Sequence, residues 1–236
     1  ERALAREQGG KGGVTQGVSL LARHRVRLIA STRYPLGPFG LQPELTWLRR
    51  HGGGIIVTGS RGPRDPRGAE AKAAVLDFLE RMKPHVAAAE AAGVTIAIEN
   101  HGSQMLCHPD ALRYFAEFNR SRHLGVAFAP HHLHEWEDQI PGLIRDLGAD
   151  QIPFLYLQEH SEGIRAKVPK DVELRQLPGF GGELDWRALV RALRDIRYRG
   201  WVEIFMHPTP RGIPILPTLA EVTAAVRRSR AHIDLC

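Results

Sequence analysis

Sulfur is scarce in this chain, whose 236 residues include two cysteines, Cys107 and Cys236. One pair cannot make a disulfide framework, and without a Cys-x-x-Cys motif neither a zinc knuckle nor a dithiol redox centre is written into the sequence. A reducing compartment fits this usage, so the expected location is cytoplasmic. Long apolar runs are missing too. No stretch approaches the ~18 consecutive apolar residues of a spanning helix, and Glu1 to Gly13 lack the apolar centre of a signal peptide, so no membrane partner is expected. Lysine is confined to Lys11, Lys72, Lys83, Lys167 and Lys170. The formal charge of +6 favours anionic partners at long range. No basic run interleaved with aromatics is present, however, which argues against nucleic acid.

What remains is 43% hydrophobic and 25% charged, the balance of an ordinary globular protein, and one domain over 1–236 is expected. The glycine-rich start, within residues 1–13, is expected to be mobile. From about residue 14, short apolar runs alternate with stretches of helical period, the pattern of β/α units around a parallel sheet. The strands read as Val26 to Ser31, Gly54 to Thr58, Val94 to Glu99, His123 to Ala129, Ile152 to Gln158 and Trp201 to Met206. Between them, Val75, Phe78, Leu79, Met82 and Val86 form one helical stripe, and Trp186, Leu189, Val190, Leu193 and Ile196 another. Further helices are expected after Pro109, around Pro141 and from Thr218 to Ser229. Two irregular segments stand out, Ser60 to Gly68 and His160 to Gly182. The second has the length of a lid or binding loop.

Side chains alternate across a strand, so parity sorts each strand into two faces. Ile96 and Ile98 go to the helix-covered face, and Ala97, Glu99 and His101 to the other. By the same count Val126 and Phe128, Leu155 and Leu157, and Val202 and Ile204 go outward. Ala127, Ala129, Tyr156, Gln158, His160, Glu203, Phe205 and His207 go inward, with Pro130 interrupting the register before His131 and His132. In a closed barrel the inner polar residues gather at the C-terminal strand ends, where such barrels carry their chemistry. Glu99, His101, His132, Gln158, His160 and His207 are therefore expected to share a site.

Four segments carry a family resemblance. Gly93 to His101 (GVTIAIENH) resembles the strand that supplies the first metal-binding glutamate of xylose isomerase-like enzymes, a group of sugar isomerases, epimerases, related lyases and apurinic-site endonucleases. Leu124 to Leu133 (LGVAFAPHHL) is similar to the next strand, Leu177 to Trp186 (LPGFGGELDW) to the Pro-Gly segment before the penultimate helix, and Ile196 to Ile204 (IRYRGWVEI) to the approach to the last strand. The resemblance implies a TIM-type (β/α) barrel of the α/β class. Because no clear first two strands precede Val26, either the first one or two β/α units are absent or they have diverged. Dimerisation into a homo-oligomer, or an accessory segment, would cover sheet edges left exposed.

Carried over by position, the resemblance makes Glu99 the first metal ligand and His132 the histidine that contacts substrate or serves in acid–base chemistry. Ala129 stands where the family has an aspartate. Gln158 falls at the third ligand, with Tyr156 there in an alternative register. Phe205 falls at the final glutamate, with Glu203 two residues early and His207 two residues late. A rebuilt site would comprise Glu99, His132, Gln158 and His207, a mixed nitrogen and oxygen set suited to zinc, manganese, cobalt or nickel over magnesium. His132, His101 and His160 are the acid–base candidates. Arg165 and Lys167, on the long loop, are candidates for an anionic substrate group.

The expected function is a divalent-metal-dependent isomerase, epimerase or lyase acting on a sugar, ketose or related polyhydroxy compound. The competing expectations are a metal-free degenerate barrel that binds a polyol or protein partner, favoured by Ala129 and Phe205, and an apurinic-site endonuclease.

Overall fold

The computed structural model of the protein describes residues 11–236. Most of the stretch expected to be mobile, residues 1–10, lies outside the described residues. The first helix, α1 (Lys11–Arg23), precedes a repeating β/α pattern: β1 (Ala30–Thr32), α2 (Gln42–Arg50), β2 (Ile55–Gly59), α3 (Gly68–Ala92), β3 (Thr95–Glu99), α4 (Pro109–Phe118) and β4 (Leu124–Phe128). A 3-10 segment, Pro130–Gln139, leads to α5 (Ile140–Leu147) and β5 (Phe154–Leu157). Short α6 (Lys170–Leu174) and then α7 (Trp186–Asp195) lead to β6 (Trp201–Ile204) and α8 (Leu219–Leu235). The strands pair in parallel in sequence order, β1 to β6. The sheet curls into an open (β/α) barrel that, among the described residues, lacks the units needed to close it.

Parity sorts the core as the sequence suggests. Ile56, Ile96, Ile98, Val126, Phe128, Leu155 and Leu157 pack outward against Val75, Phe78, Met82, Leu112, Phe115, Leu143, Trp186 and Leu189 of the helices. A smaller inner cluster of Val57, Ala97, Ala127, Ala129, Phe154 and Tyr156, with Phe205 against it, fills the bore. All six expected strands are present, but the first begins late, at Ala30 instead of Val26. Its ladder is built on one side only, against Ile55 to Val57, and Val26 is exposed. With no neighbour on the other side among the described residues, the alternating run before Ala30 has nothing there to hold it in a sheet. Between β1 and β6 lies a cleft of about 680 Å³, lined by Leu28, Phe154, Glu203 and Ile233 among others. Arg27 and Trp201 also line it, the guanidinium 5.1 Å from the centre of the indole ring.

The long loop folds over the strand ends. Thr209, beyond β6, donates its hydroxyl to the Gly163 carbonyl at 2.7 Å and its backbone N–H to the buried Glu173 carboxylate at 2.7 Å. At its base the Glu159 carboxylate is buried, accepting from the Trp186 indole N–H at 2.6 Å and from the Leu184 N–H at 3.1 Å. Burial nevertheless pushes its pKa up to about 7. This lock requires glycine at 182, where a Cβ would sit 1.9 Å from Glu159 Oε2 and 2.9 Å from the Arg175 carbonyl. Gly182→Ala is expected to displace the carboxylate and strand the indole N–H, destabilising the protein by about 1–3 kcal/mol. Urea unfolding checks this, with Gly142→Ala on α5 as a control, because a Cβ there meets nothing within 4 Å. A Gly182→Ala protein as stable as the control would remove the lock from the account.

Candidate metal centre

Beyond its last ladder residue, β3 is tied to β4 by a side chain. Asn100 is fully buried; its amide donates to the Ala129 carbonyl at 2.9 Å and its carbonyl accepts from the Ala129 N–H at 2.7 Å. With the two strand ends pinned, the turn after Pro130 carries His132 back over Glu99, placing Nε2 3.4 Å from Glu99 Oε1. His101, two residues past Glu99, donates from Nδ1 to the Gly102 carbonyl at 2.9 Å. A carbonyl only accepts, so the proton is on Nδ1 and the lone pair on Nε2 is free. The His101 and His132 ring centroids are 4.1 Å apart. One ligand atom from each of Glu99, His101 and His132 lies within 4.8 Å of the others.

Burial dominates the electrostatics. It raises the Glu99 carboxyl to about 7, although the nearby His101 charge and the Tyr156 hydroxyl both pull downward. It lowers His132 to about 4, helped by the Arg165 and His134 charges, and lowers His101, helped by His132. Both imidazoles are therefore neutral at neutral pH, with lone pairs available. His132 Nε2 is buried without a hydrogen-bond partner. A buried carboxyl beside a ring nitrogen with no hydrogen-bond partner fits a divalent metal held by one oxygen and two nitrogens.

The other expected residues have partners of their own. Gln158 is fully buried; its amide donates to Gln176 at 2.8 Å, and its own Oε1 is unpartnered. Gln176 in turn brackets His207, donating to its carbonyl and accepting from its N–H at 2.9 Å each. The His207 ring packs edge-on against Phe205 and His131. His160 stacks on His134 with ring centroids 3.7 Å apart. The Arg165 charge bears on His101, His132 and His160, whereas Lys167 is exposed further along the loop. His101, an acid–base candidate by sequence, thus lies with Glu99 and His132 in a group whose ligand atoms could hold a metal ion.

Two further groups border the trio. His131 is 3% exposed, and neither ring nitrogen has a partner. Its ring lies 4.0 Å from that of His132, and burial holds its pKa well below the usual histidine value. Strand parity ends at Pro130, so alternation does not reveal its contacts. Tyr156, readable as a core filler, places its hydroxyl against Glu99.

The profile of the family described as Xylose isomerase-like TIM barrel matches residues 41–231. No curated protein matches the chain at a significant level. Among solved structures, 3-keto-D-glucoside 4-epimerase, YcjR, from E. coli superposes with TM-score 0.63 at 17% identity, covering 93% of this chain and 83% of that one. A D-tagatose 3-epimerase-like protein gives 0.66 at 12% identity over 96% and 84% of the two chains. The IOLI protein with a binding zinc atom gives 0.62 at 16% identity over 98% and 90%. At such identities these structures speak to the fold, and the family match spans most of the sequence. The chain belongs to the xylose isomerase-like TIM barrel family.

Proposed function

We propose that this protein is a divalent-metal-dependent isomerase, epimerase or lyase of a sugar, ketose or related polyhydroxy compound. The observation that carries this reading is the meeting of Glu99, His101 and His132 at the C-terminal strand ends, with a buried, unpartnered nitrogen on His132. The solved epimerases of similar fold, and the zinc in the IOLI protein, support it. Glu99, His101 and His132 would hold the metal, with the buried Gln158 Oε1 a further acceptor in the bore. Held by these residues, a cation would supply positive charge to polarise a substrate carbonyl. Two imidazoles among three ligands favour zinc, cobalt, nickel or manganese over magnesium, which prefers an all-oxygen shell.

His160 moves the proton. One ring nitrogen is bonded to the His131 carbonyl, which leaves the other as an acceptor, and burial keeps the ring neutral at neutral pH. Arg165 adds positive charge on the same side. The long loop is tied to the segment after β6 by the Thr209 hydrogen bonds to Gly163 and Glu173.

The test is hydrogen exchange. The protein loaded with zinc, manganese or cobalt is incubated with a panel of ketoses in D2O, and deuterium next to the carbonyl is followed by NMR. Metal-dependent incorporation that His160→Ala lowers at least ~100-fold is expected. Stoichiometric metal without exchange on any sugar would favour a binding protein instead.

A further inference from the structure

The irregular loop after β2 builds a second pocket, separate from the histidines. Its volume is about 230 Å³, and its walls come from the ends of β2 and β3 and the turn after β1. That is smaller than the roughly 300–1,000 Å³ that encloses a whole small ligand, so it suits one end of a molecule. Arg61 and Arg64 are its only charged lining residues. The Tyr34 hydroxyl is buried and has no hydrogen-bond partner, and Ser103 holds a left-handed backbone at φ +62°. For a residue other than glycine such a conformation is strained, and strain of this kind gathers at binding sites.

Missing side chains open the space. At Gly59 a Cβ would lie 2.5 Å from the Gln104 amide oxygen, and at Gly37, with φ +63°, it would press within 3.1 Å of the Arg61 guanidinium. Both glycines let polar side chains lie flat against the backbone. The pocket also adjoins the metal trio, because the Tyr34 ring meets the His101 ring at 6.2 Å, edge to face.

We propose that this pocket binds an oxyanion at one end of the substrate, so that the substrate is a phosphorylated sugar or a sugar acid and not a neutral sugar. Two guanidinium groups with no acidic neighbour in the wall supply charge and paired donors that fit phosphate or carboxylate. The Tyr34 hydroxyl supplies a third donor where a ligand oxygen would satisfy it. The reacting carbons would then extend past Tyr34 toward Glu99 and His132. That the anion belongs to a sugar rests on the isomerase reading; the pocket's affinity for an anion does not.

The full-length, metal-free protein is titrated calorimetrically with inorganic phosphate, with D-gluconate and, as a neutral control, with D-glucose. Phosphate or gluconate is expected to bind where glucose does not, and the arm that binds identifies the anion. The double variant Arg61→Gln/Arg64→Gln should bind that anion about 10-fold or more weakly. Arg187→Gln, which removes one like charge from the exposed face of α7, should leave the affinity unchanged. Both arginines of the pocket are exposed, so the double variant is expected to keep its melting temperature. No binding of either anion, or equal weakening by Arg187→Gln, would overturn the proposal. A zinc titration of the parent protein is read separately: normal zinc binding by a parent that binds neither anion would sink the pocket and leave the metal centre standing.

Discussion

Zinc affinity is expected to fall at least ~100-fold when Glu99 or His132 is replaced by alanine, since even the outer partners of metal ligands are typically worth 10- to 100-fold. Glu99 supplies the negative charge of the trio, and His132 the buried nitrogen that nothing else satisfies. The thermal stabilisation by zinc should disappear with it, because a ligand that binds only the folded chain stabilises it by RT ln(1 + L/Kd), with L the free ligand concentration. In the parent protein the affinity should weaken as the pH drops below about 7, where protons begin to compete for Glu99. His132, already held down to about 4, enters the competition only at lower pH. Calorimetry at pH 8, 7 and 6 checks both parts. Full affinity in either alanine variant would place the metal elsewhere.

Glu99→Gln is expected to stabilise the metal-free protein at pH 8 while removing its metal affinity. The carboxyl titrates at about 7 in the folded chain, against an ordinary value of 4.5. Between those values the folded state keeps a proton that the unfolded state has released, so the contribution of Glu99 is fully present below 4.5 and is lost as the pH rises through 7. Glutamine stays neutral throughout and can still partner the Tyr156 hydroxyl. At pH 8 the variant should melt higher than the parent by at least roughly 3 °C, and the difference should vanish near pH 4.5. The buried histidines slope the other way. For His132, lowered from 6.5 to about 4, the contribution is present above 6.5 and is lost as the pH falls through 4. The difference between variant and parent isolates the glutamate. A variant that melts lower at pH 8 would mean that the carboxylate is already compensated without metal.

Both expectations concern a residue that was legible before any coordinates. Glu99 follows from alternation in one strand, because Ile96 and Ile98 must face the helices and Glu99 then faces the bore. The same reasoning orients Tyr156, Gln158 and Phe205, and the number and order of the strands follow from apolar runs separated by helical stripes. Alternation stops being informative where the chain leaves the strand. His132 and His131 come after Pro130, and their positions depend on the Asn100 clasp at Ala129, which no local pattern announces. His101 was placed inward, but its part as a ligand neighbour depends on one ring proton engaged by Gly102.

Glu159 shows the opposite failure. On an outward position a carboxylate reads as solvated, yet Trp186 of α7 closes over it. The Arg61 and Arg64 pocket was not legible as a site, because it depends on glycines whose missing Cβ atoms matter only when Arg61 and Gln104 lie against them. The late start of β1 has a similar origin: residues 26–29 have strand composition, but a strand also needs a neighbour on which to form its ladder.

The most direct test of the account is a crystal structure of the full-length protein soaked with zinc and recorded at the zinc absorption edge. The account predicts one strong anomalous peak at the C-terminal strand ends, within coordination distance of a Glu99 oxygen and of Nε2 of both His101 and His132. A peak held by Gln158 and His207 without that trio, or no peak at a zinc concentration that saturates the protein in solution, would contradict it.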